Sequence, residues 1–349
     1  MFGLFSSNNS VLGLDIGSRY IKGVEFTETD GDEYSVTGYG LQKIDPEQDL
    51  ARNLNRFRDE NAFNTDLICS GVSGRSVIIR YVTMPREEEE ELDNNLDEQA
   101  SKYIPFEVEG ASVDVERLPE EDQSPVTSED EIRVLIVAVK QETVNDHADL
   151  IERCGFSPRI VDVDAIALGN AYDFYLRNND SDQDDEIVGL VDIGAEKSLV
   201  HIMDRHRSQF AREFDMGGDE FTKNISTRMG LSTQEAEEKK LNANEEEQGE
   251  IARIVRDTID DLCHEIHLSF DFFETQFDKE VDQIYVSGGG SLIRGLEGVM
   301  KDVFGMKPIF WDPFENLELN LGDGSAEDLR SSNRFLVIAA GLASRIQDH

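Results

Sequence analysis

An α/β fold built from two copies of one motif is predicted by three features of the sequence. "VLGLDIGSRYIKGVEF" (Val11 to Phe26) and "IVGLVDIGAEKSLVHIM" (Ile187 to Met203) each read as an apolar strand, a D-I-G turn and an alternating strand. Asp15 and Asp192 lie about 177 residues apart, and each hairpin leads a three-strand meander, the pattern of an internal duplication. Towards the C-terminus, "VDQIYVSGGGSLIRGLEGVM" gives strand, triple glycine and helix.

The chain is large enough for such a fold. With 349 residues, 38% of them hydrophobic, it buries a real core and divides into two domains. The formal charge of −41 excludes nucleic acid and anionic membrane surface as general partners, because the long-range field repels polyanions. Acidic residues are spread through periodic segments and Arg outnumbers Lys, a pattern that suits a cytosolic protein of a high-salt organism. The denser acidic stretches at Leu118 to Glu131, Arg177 to Glu186 and Asn242 to Glu250 read as solvated loops or linkers. Cys69, Cys154 and Cys263 lie far apart, which supplies neither a disulfide framework nor a zinc ribbon. No segment has the roughly eighteen apolar residues of a membrane span, and "MFGLFSSNNS" lacks the basic start of a signal peptide.

In order, strands are expected at Val11–Asp15, Tyr20–Thr27 and Ser35–Lys43, a helix at Asp49–Glu60, and strands at Asp66–Ser70 and Ser76–Thr83. A helix Glu87–Lys102, the break "YIPFE", and strands Val113–Leu118 and Ile132–Lys140 follow. Next come a helix to Arg153, the strand "SPRIVDV" and a helix Ala165–Leu176. After the second hairpin and the strand "SQFAREFDM", helices are expected at Asp219–Met229, Ser232–Leu241 and Glu250–Phe273. In the last, Ile251, Val255, Ile259, Leu262, Ile266, Phe270 and Phe273 keep three-four spacing, a core stripe. His264 and His267 share that helix, but they do not form H-E-x-x-H and no second ligand cluster accompanies them.

In the glycine turns, Gly17 is free to take a positive φ, and Gly288, Gly289 and Gly290 let backbone approach a base or phosphate where a helix start offers amides. Neither a P-loop nor a Rossmann fingerprint is present. The two D-I-G hairpins, "GGDEF" (Gly217 to Phe221), "AEEKK" (Ala236 to Lys240), "SGGGSLIRGL" and "FLVIAAGLA" together resemble the actin, Hsp70 and sugar-kinase ATPase superfamily over nearly the whole chain. Within it, "GRSVIIRYVTMP", "SKYIPFE", "VAVKQETV", "CGFSPRIVDVDAIALGNAY" and "DPF" resemble the PilM family of type IV pilus assembly.

That resemblance implies an actin-like (ribonuclease H-like) duplicated fold, two domains around a nucleotide cleft, with a small inserted subdomain. Residues 1–84 and 141–180 would form the first domain around an insert at 85–140; 181–216 and 281–349 would form the second, with 217–280 its helical subdomain. ATP and Mg²⁺ are the implied cofactors. Asp15 would position the metal through water, with amides of Gly17 and Ser18 and the ammonium of Lys22 on the phosphates. Asp192 and Gly194 would form the second phosphate hairpin. Gly217 and Gly218 would let the nucleotide pass close, Glu237 and Lys240 would reach ribose and base, and Gly288 to Gly290 with Ser291 would cover the adenosine. Asp162 and Asp164 are both available to orient an attacking water, and either is equally suited to capping the following helix.

The implied role is a cytoplasmic ATP-binding adaptor with at most weak ATPase activity, drawn to the inner face of the membrane through a partner. That partner is the N-terminal cytoplasmic peptide of PilN, docking around Arg80, Tyr103, Ile104 and Phe106, residues that would otherwise simply pack the insert. Other platform proteins and motor ATPases are further implied partners, with self-association as in filament formers. A filament-forming ATPase of the FtsA or MreB type is the competing reading, although the chain ends "GLASRIQDH" and not in a basic amphipathic helix. A small-molecule kinase is a third, for which no catalytic aspartate on a substrate loop is evident.

Overall fold

The computed structural model describes residues 10–29, 33–86, 102–104, 110–118, 130–179, 186–322 and 324–348. The expected helix Glu87–Lys102 lies outside the described residues except at its last position, as do most of the acidic stretches at 118–131 and 177–186. By contacts the chain forms two compact units.

The first unit comprises Met1–Val72, Thr143–Ser181 and Asp312–His349. Strands β1 (Ser10–Ile16), β2 (Tyr20–Glu28) and β3 (Tyr34–Lys43) form the antiparallel meander, and β4 (Leu67–Val72) and β8 (Ser157–Val163) continue it in parallel beside β1. With the short β14 (Glu318–Leu319) the order is β14-β3-β2-β1-β4-β8. β1 reads as an almost unbroken apolar run because both of its faces are covered. On one face, Leu54 and Phe57 of helix α1 (Leu50–Glu60) and Ile151 of α2 (Gln141–Arg153) pack on Leu12, Leu14, Ile21 and Ile68. Asp49 caps α1 by accepting from the Arg52 amide at 2.8 Å. Against the other face lie α3 (Asp164–Asn178) and the helix Val337–Ala343, in which every residue is buried.

That last helix is held by glycine. A Cβ on Gly13 of β1 would overlap the Ala339 carbonyl and the Ala343 amide, and one on Gly341 would overlap the Ala167 carbonyl of α3. Backbone therefore touches backbone at two points, an approach that only glycine permits.

A buried carboxylate staples the open side of the meander. Glu25 is fully buried; it accepts from the Thr37 hydroxyl (2.5 Å), the Asn64 side chain (2.7 Å) and the amides of Asn64 (2.5 Å) and Thr65 (3.2 Å). Thr37 continues to Thr27 (2.8 Å) and Ser10 (2.7 Å). Removing the acceptor strands the buried Thr65 amide and breaks three further bonds to less buried donors, so Glu25→Ala is expected to cost about 2–3 kcal/mol. Urea unfolding checks this, and a loss under about 1 kcal/mol would contradict it.

The second unit comprises Ser73–Glu142 and Asp182–Trp311. β9 (Ile187–Ile193), β10 (Ser198–Asp204) and β11 (Arg207–Phe214) form its meander, with β12 (Gln283–Ser287) and β13 (Ile309–Phe310) in parallel beyond β9. The order β11-β10-β9-β12-β13 repeats β3-β2-β1-β4-β8 with the same strand senses, so the duplication read from the D-I-G turns is structural. Helices follow at Gly218–Met229, Thr233–Asn242 and Glu245–Phe277. All seven positions of the expected apolar stripe are buried in the core of this unit.

Two expectations need correction. The long helix begins at Glu245, inside the stretch 242–250 expected as a loop, because Asn244 and Glu247 exchange capping bonds at 3.0 and 3.1 Å and Lys239 pairs with Glu247. After the triple glycine the chain makes a 3-10 turn, Gly289–Leu292, and the α-helix starts only at Leu296, after Gly295 at φ 98°.

This unit also carries an antiparallel sheet of β5 (Val77–Pro85), β6 (Ala111–Arg117) and β7 (Glu131–Lys140), in the order β5-β7-β6. Met84, Ile104, Ile132, Val134, Ile136 and Ala138 form its core.

Candidate functional site

The two D-I-G hairpins share one backbone plan. In the first, the Gly17 amide donates to the Tyr20 carbonyl at 3.0 Å; in the second, Gly194 donates to Lys197 at 2.9 Å. Gly17 does not take a positive φ, contrary to expectation. Space is tight there instead, since a Cβ would lie 3.0 Å from the Lys22 ammonium and 3.2 Å from the Tyr20 carbonyl. Its amide closes the turn, while Ser18 stands exposed at the tip.

The side chains differ. Asp15 is 5% exposed and faces Lys22 across the β1–β2 pair, 2.5 Å from carboxylate to ammonium. Asp192 is 9% exposed, but its cross-strand neighbour is Leu199; the Ser287 hydroxyl donates to it instead at 2.7 Å, from the register position beside it on β12. Asp15 is thus paired with an ammonium, and Asp192 accepts from a hydroxyl.

The parallel strands of the first unit bring more acids to the edge where Asp15 lies. Leu14 pairs with Ser70, so Gly71 is one position on beside Asp15, and Gly71 pairs with Asp162. Asp162 accepts from the Val163 amide (2.7 Å) and lies 3.4 Å from the Asn170 amide group and 3.5 Å from the Arg345 guanidinium. Asp164 opens α3, whose cap position is Val163 with no side-chain cap, so neither aspartate serves as the cap. A Cβ on Gly71 would fall on the Asp164 carboxylate, so the glycine makes room for that acid. One strand position earlier, fully buried Ser70 bonds His147 at 3.0 Å, and burial pushes that imidazole's pKa down.

Around the second hairpin, glycines pack as backbone. The amides of Gly218 and Asp219, at the start of the 218–229 helix, donate to the Gly194 and Ala195 carbonyls at 2.9 and 2.8 Å. A Cβ on Gly217 would press on both carbonyls at 2.7 Å. Gly288 has φ 82°, and a side chain on it or on Gly290 would overlap Ile193. The Ser291 hydroxyl turns inward to the Gly288 carbonyl at 2.7 Å. Glu237 and Lys240 pair at 2.8 Å, and Lys240 also donates to Thr222 (2.8 Å) and the Gly218 carbonyl (3.1 Å). Thr222, which bonds Glu237 as well, was not singled out in the sequence; its position four residues beyond Gly218 was the available signal.

Residues 13–347 match the model of the family described as type IV pilus assembly protein PilM. The chain belongs to the PilM family. Its fold is similar to that of the PilM-PilN type IV pilus biogenesis complex, at TM-score 0.81 and 24% identity over 96% of this chain and 98% of that one. It is also similar to ethanolamine utilization protein EutJ from Carboxydothermus hydrogenoformans, at TM-score 0.52 and 14% identity over 96% and 89% of the two chains. The duplicated α/β architecture is thus the actin-like fold.

In this PilM-family chain the expected partner residues fall around the three-stranded sheet. Arg80 is exposed on β5, Ile104 is 7% exposed in the sheet's core and Tyr103 packs against it; Phe106 lies outside the described residues. Among the described residues, no helix is long and apolar enough to cross a membrane, and no three His, Cys, Asp or Glu side chains gather as a metal site. His267 faces Asp271 at 3.4 Å.

Proposed function

We propose that this PilM-family protein is an ATP-binding adaptor of type IV pilus assembly that docks the N-terminal cytoplasmic peptide of PilN and is drawn to the membrane's inner face by it. The observation that carries the nucleotide reading is the repeated hairpin, which places a buried carboxylate beside a glycine turn in each half. The PilN reading rests on family membership and on the fold shared with the PilM-PilN complex.

In this reading Lys22 contacts phosphate oxygens, and the exposed Ser18 tip offers its amide. Mg²⁺ supplies charge neutralisation of the phosphates when bound. The residues fit it: Asp15 and Asp192 are buried hard oxygen donors, the ligand type that Mg²⁺ takes alongside substrate phosphates and water. Glu237 and Lys240, oriented by Thr222, take ribose and base; Gly217, Gly218 and Gly288 to Gly290 leave the backbone bare beside them, with Ser291 bracing the turn. Asp162 or Asp164 orients the attacking water, the first of them held by Val163, Asn170 and Arg345. Turnover is slow or absent, and nucleotide occupancy sets partner affinity. The dispersed acidity is salt adaptation.

Calorimetric titration of Mg-ATP in molar KCl, with and without a PilN N-terminal peptide, tests this. The expected result is micromolar binding and a change of about fivefold or more in peptide affinity. A folded chain that binds peptide but no ATP would leave an actin-like scaffold without a nucleotide.

A further inference from the structure

The second hairpin is tied to the three-stranded sheet through one lysine. The Lys197 carbonyl closes the turn, while its ammonium leaves the hairpin to meet the Ser73 hydroxyl and Glu213, the latter at 3.2 Å. The same Glu213 oxygen accepts the Gly74 amide at 3.2 Å, and Arg75 pairs with Asp215 at 3.1 Å. Ser73 to Arg75 form the root of β5. Further along, the Tyr81 hydroxyl meets Ser208 (2.5 Å), which meets His201 (2.7 Å), and buried Arg133 reaches Gln209 (2.8 Å) while lying 4.5 Å over the Phe277 ring. The sheet is thus fastened to β10 and β11 along its length, and the fastening begins at the glycine turn. At the first hairpin Tyr20 occupies the position of Lys197, and its ring packs on Phe335 with centroids 5.5 Å apart.

We propose that Lys197 is a phosphate-responsive tether: an anionic phosphate at the Gly194 turn draws the ammonium from Glu213 and Ser73, loosening the root of the sheet that carries Arg80, Tyr103 and Ile104. This rests on the nucleotide reading above. The physical basis is competition for one partly exposed cation. A triphosphate carries several charges against the single one of Glu213, and the half-buried setting leaves that attraction only partly screened. Once Lys197 turns away, Glu213 holds the Gly74 amide alone, at a residue with φ 93°.

Hydrogen exchange of the full chain, with and without Mg-ATP, is the test, with ATP affinity measured in parallel by calorimetry. In the wild type, ATP is expected to speed exchange at residues 74–81 severalfold. Lys197→Met should bind ATP within about tenfold of wild type, show fast exchange there already, and gain little more. Ser73→Ala, which keeps the lysine, should show a raised baseline and a smaller ATP response, and it carries the test if Lys197→Met binds ATP poorly or fails to fold. ATP bound without any change at 74–81 in the wild type overturns the tether alone, as does an undiminished response in both variants. Failure of the wild type to bind ATP removes the nucleotide reading and the tether with it.

Discussion

Gly341→Ala is expected to destabilise the first unit severely. The added methyl would overlap the Ala167 carbonyl and crowd the Ala171 amide, and the obstruction is helix backbone with no rotamer to turn aside. Ordinary overpacking costs about 1–3 kcal/mol. Here relief requires separating the helix Val337–Ala343 from α3, and its opposite side is pinned by Gly13 to β1. A loss of about 4 kcal/mol or more is therefore expected, a large part of the 5–15 kcal/mol typical of a domain. Soluble expression and denaturant unfolding check it; Gly298→Ala is the control, because a Cβ there meets nothing within 4 Å. Equal stability of the two variants would contradict the close-packing account.

Asp192→Ala is expected to weaken Mg-ATP binding about a hundredfold, roughly 2.7 kcal/mol. The carboxylate is buried beside the second glycine turn and is held by the Ser287 hydroxyl at 2.7 Å, a hard oxygen donor placed for a phosphate-bound cation. Ser287→Ala removes the donor that fixes its orientation and should cost less, about tenfold. The discriminating readout is metal dependence. If Asp192 holds the cation side, the deficit shrinks when ATP is titrated in EDTA; if it only shapes the turn, the same loss appears with and without Mg²⁺.

Much of this was legible because local signals agree with tertiary ones. The strands around Asp15 and Asp192 read correctly since apolar runs end at a glycine turn, and the repeat of that pattern announced the duplicated sheets. The stripe from Ile251 to Phe273 read correctly because helical periodicity follows burial. What stayed hidden depends on register between distant segments. Nothing near Ser287 signals that it faces Asp192, and nothing near Gly71 signals an Asp164 carboxylate. Gly13 looks like one small residue in an apolar strand until the helix it touches is in place. The start at Glu245 was misread because a run of glutamates resembles a solvated loop, although it is also what a helix N-terminus favours.

The glycine contact between Gly13 and the helix Val337–Ala343 also sets an order of events on the ribosome. β1 is made long before the helix Val337–Ala343 that meets it at Gly13, so this backbone contact waits for the intervening chain. The stretch from Asp182 to Trp311 carries its own five-stranded sheet and helical core in one uninterrupted run. It can consolidate while the N-terminal meander is still waiting. Until Val337–Ala343 is made, Gly13 lacks its partner backbone and apolar surface on that face of β1 stays less covered, the kind of intermediate that invites aggregation.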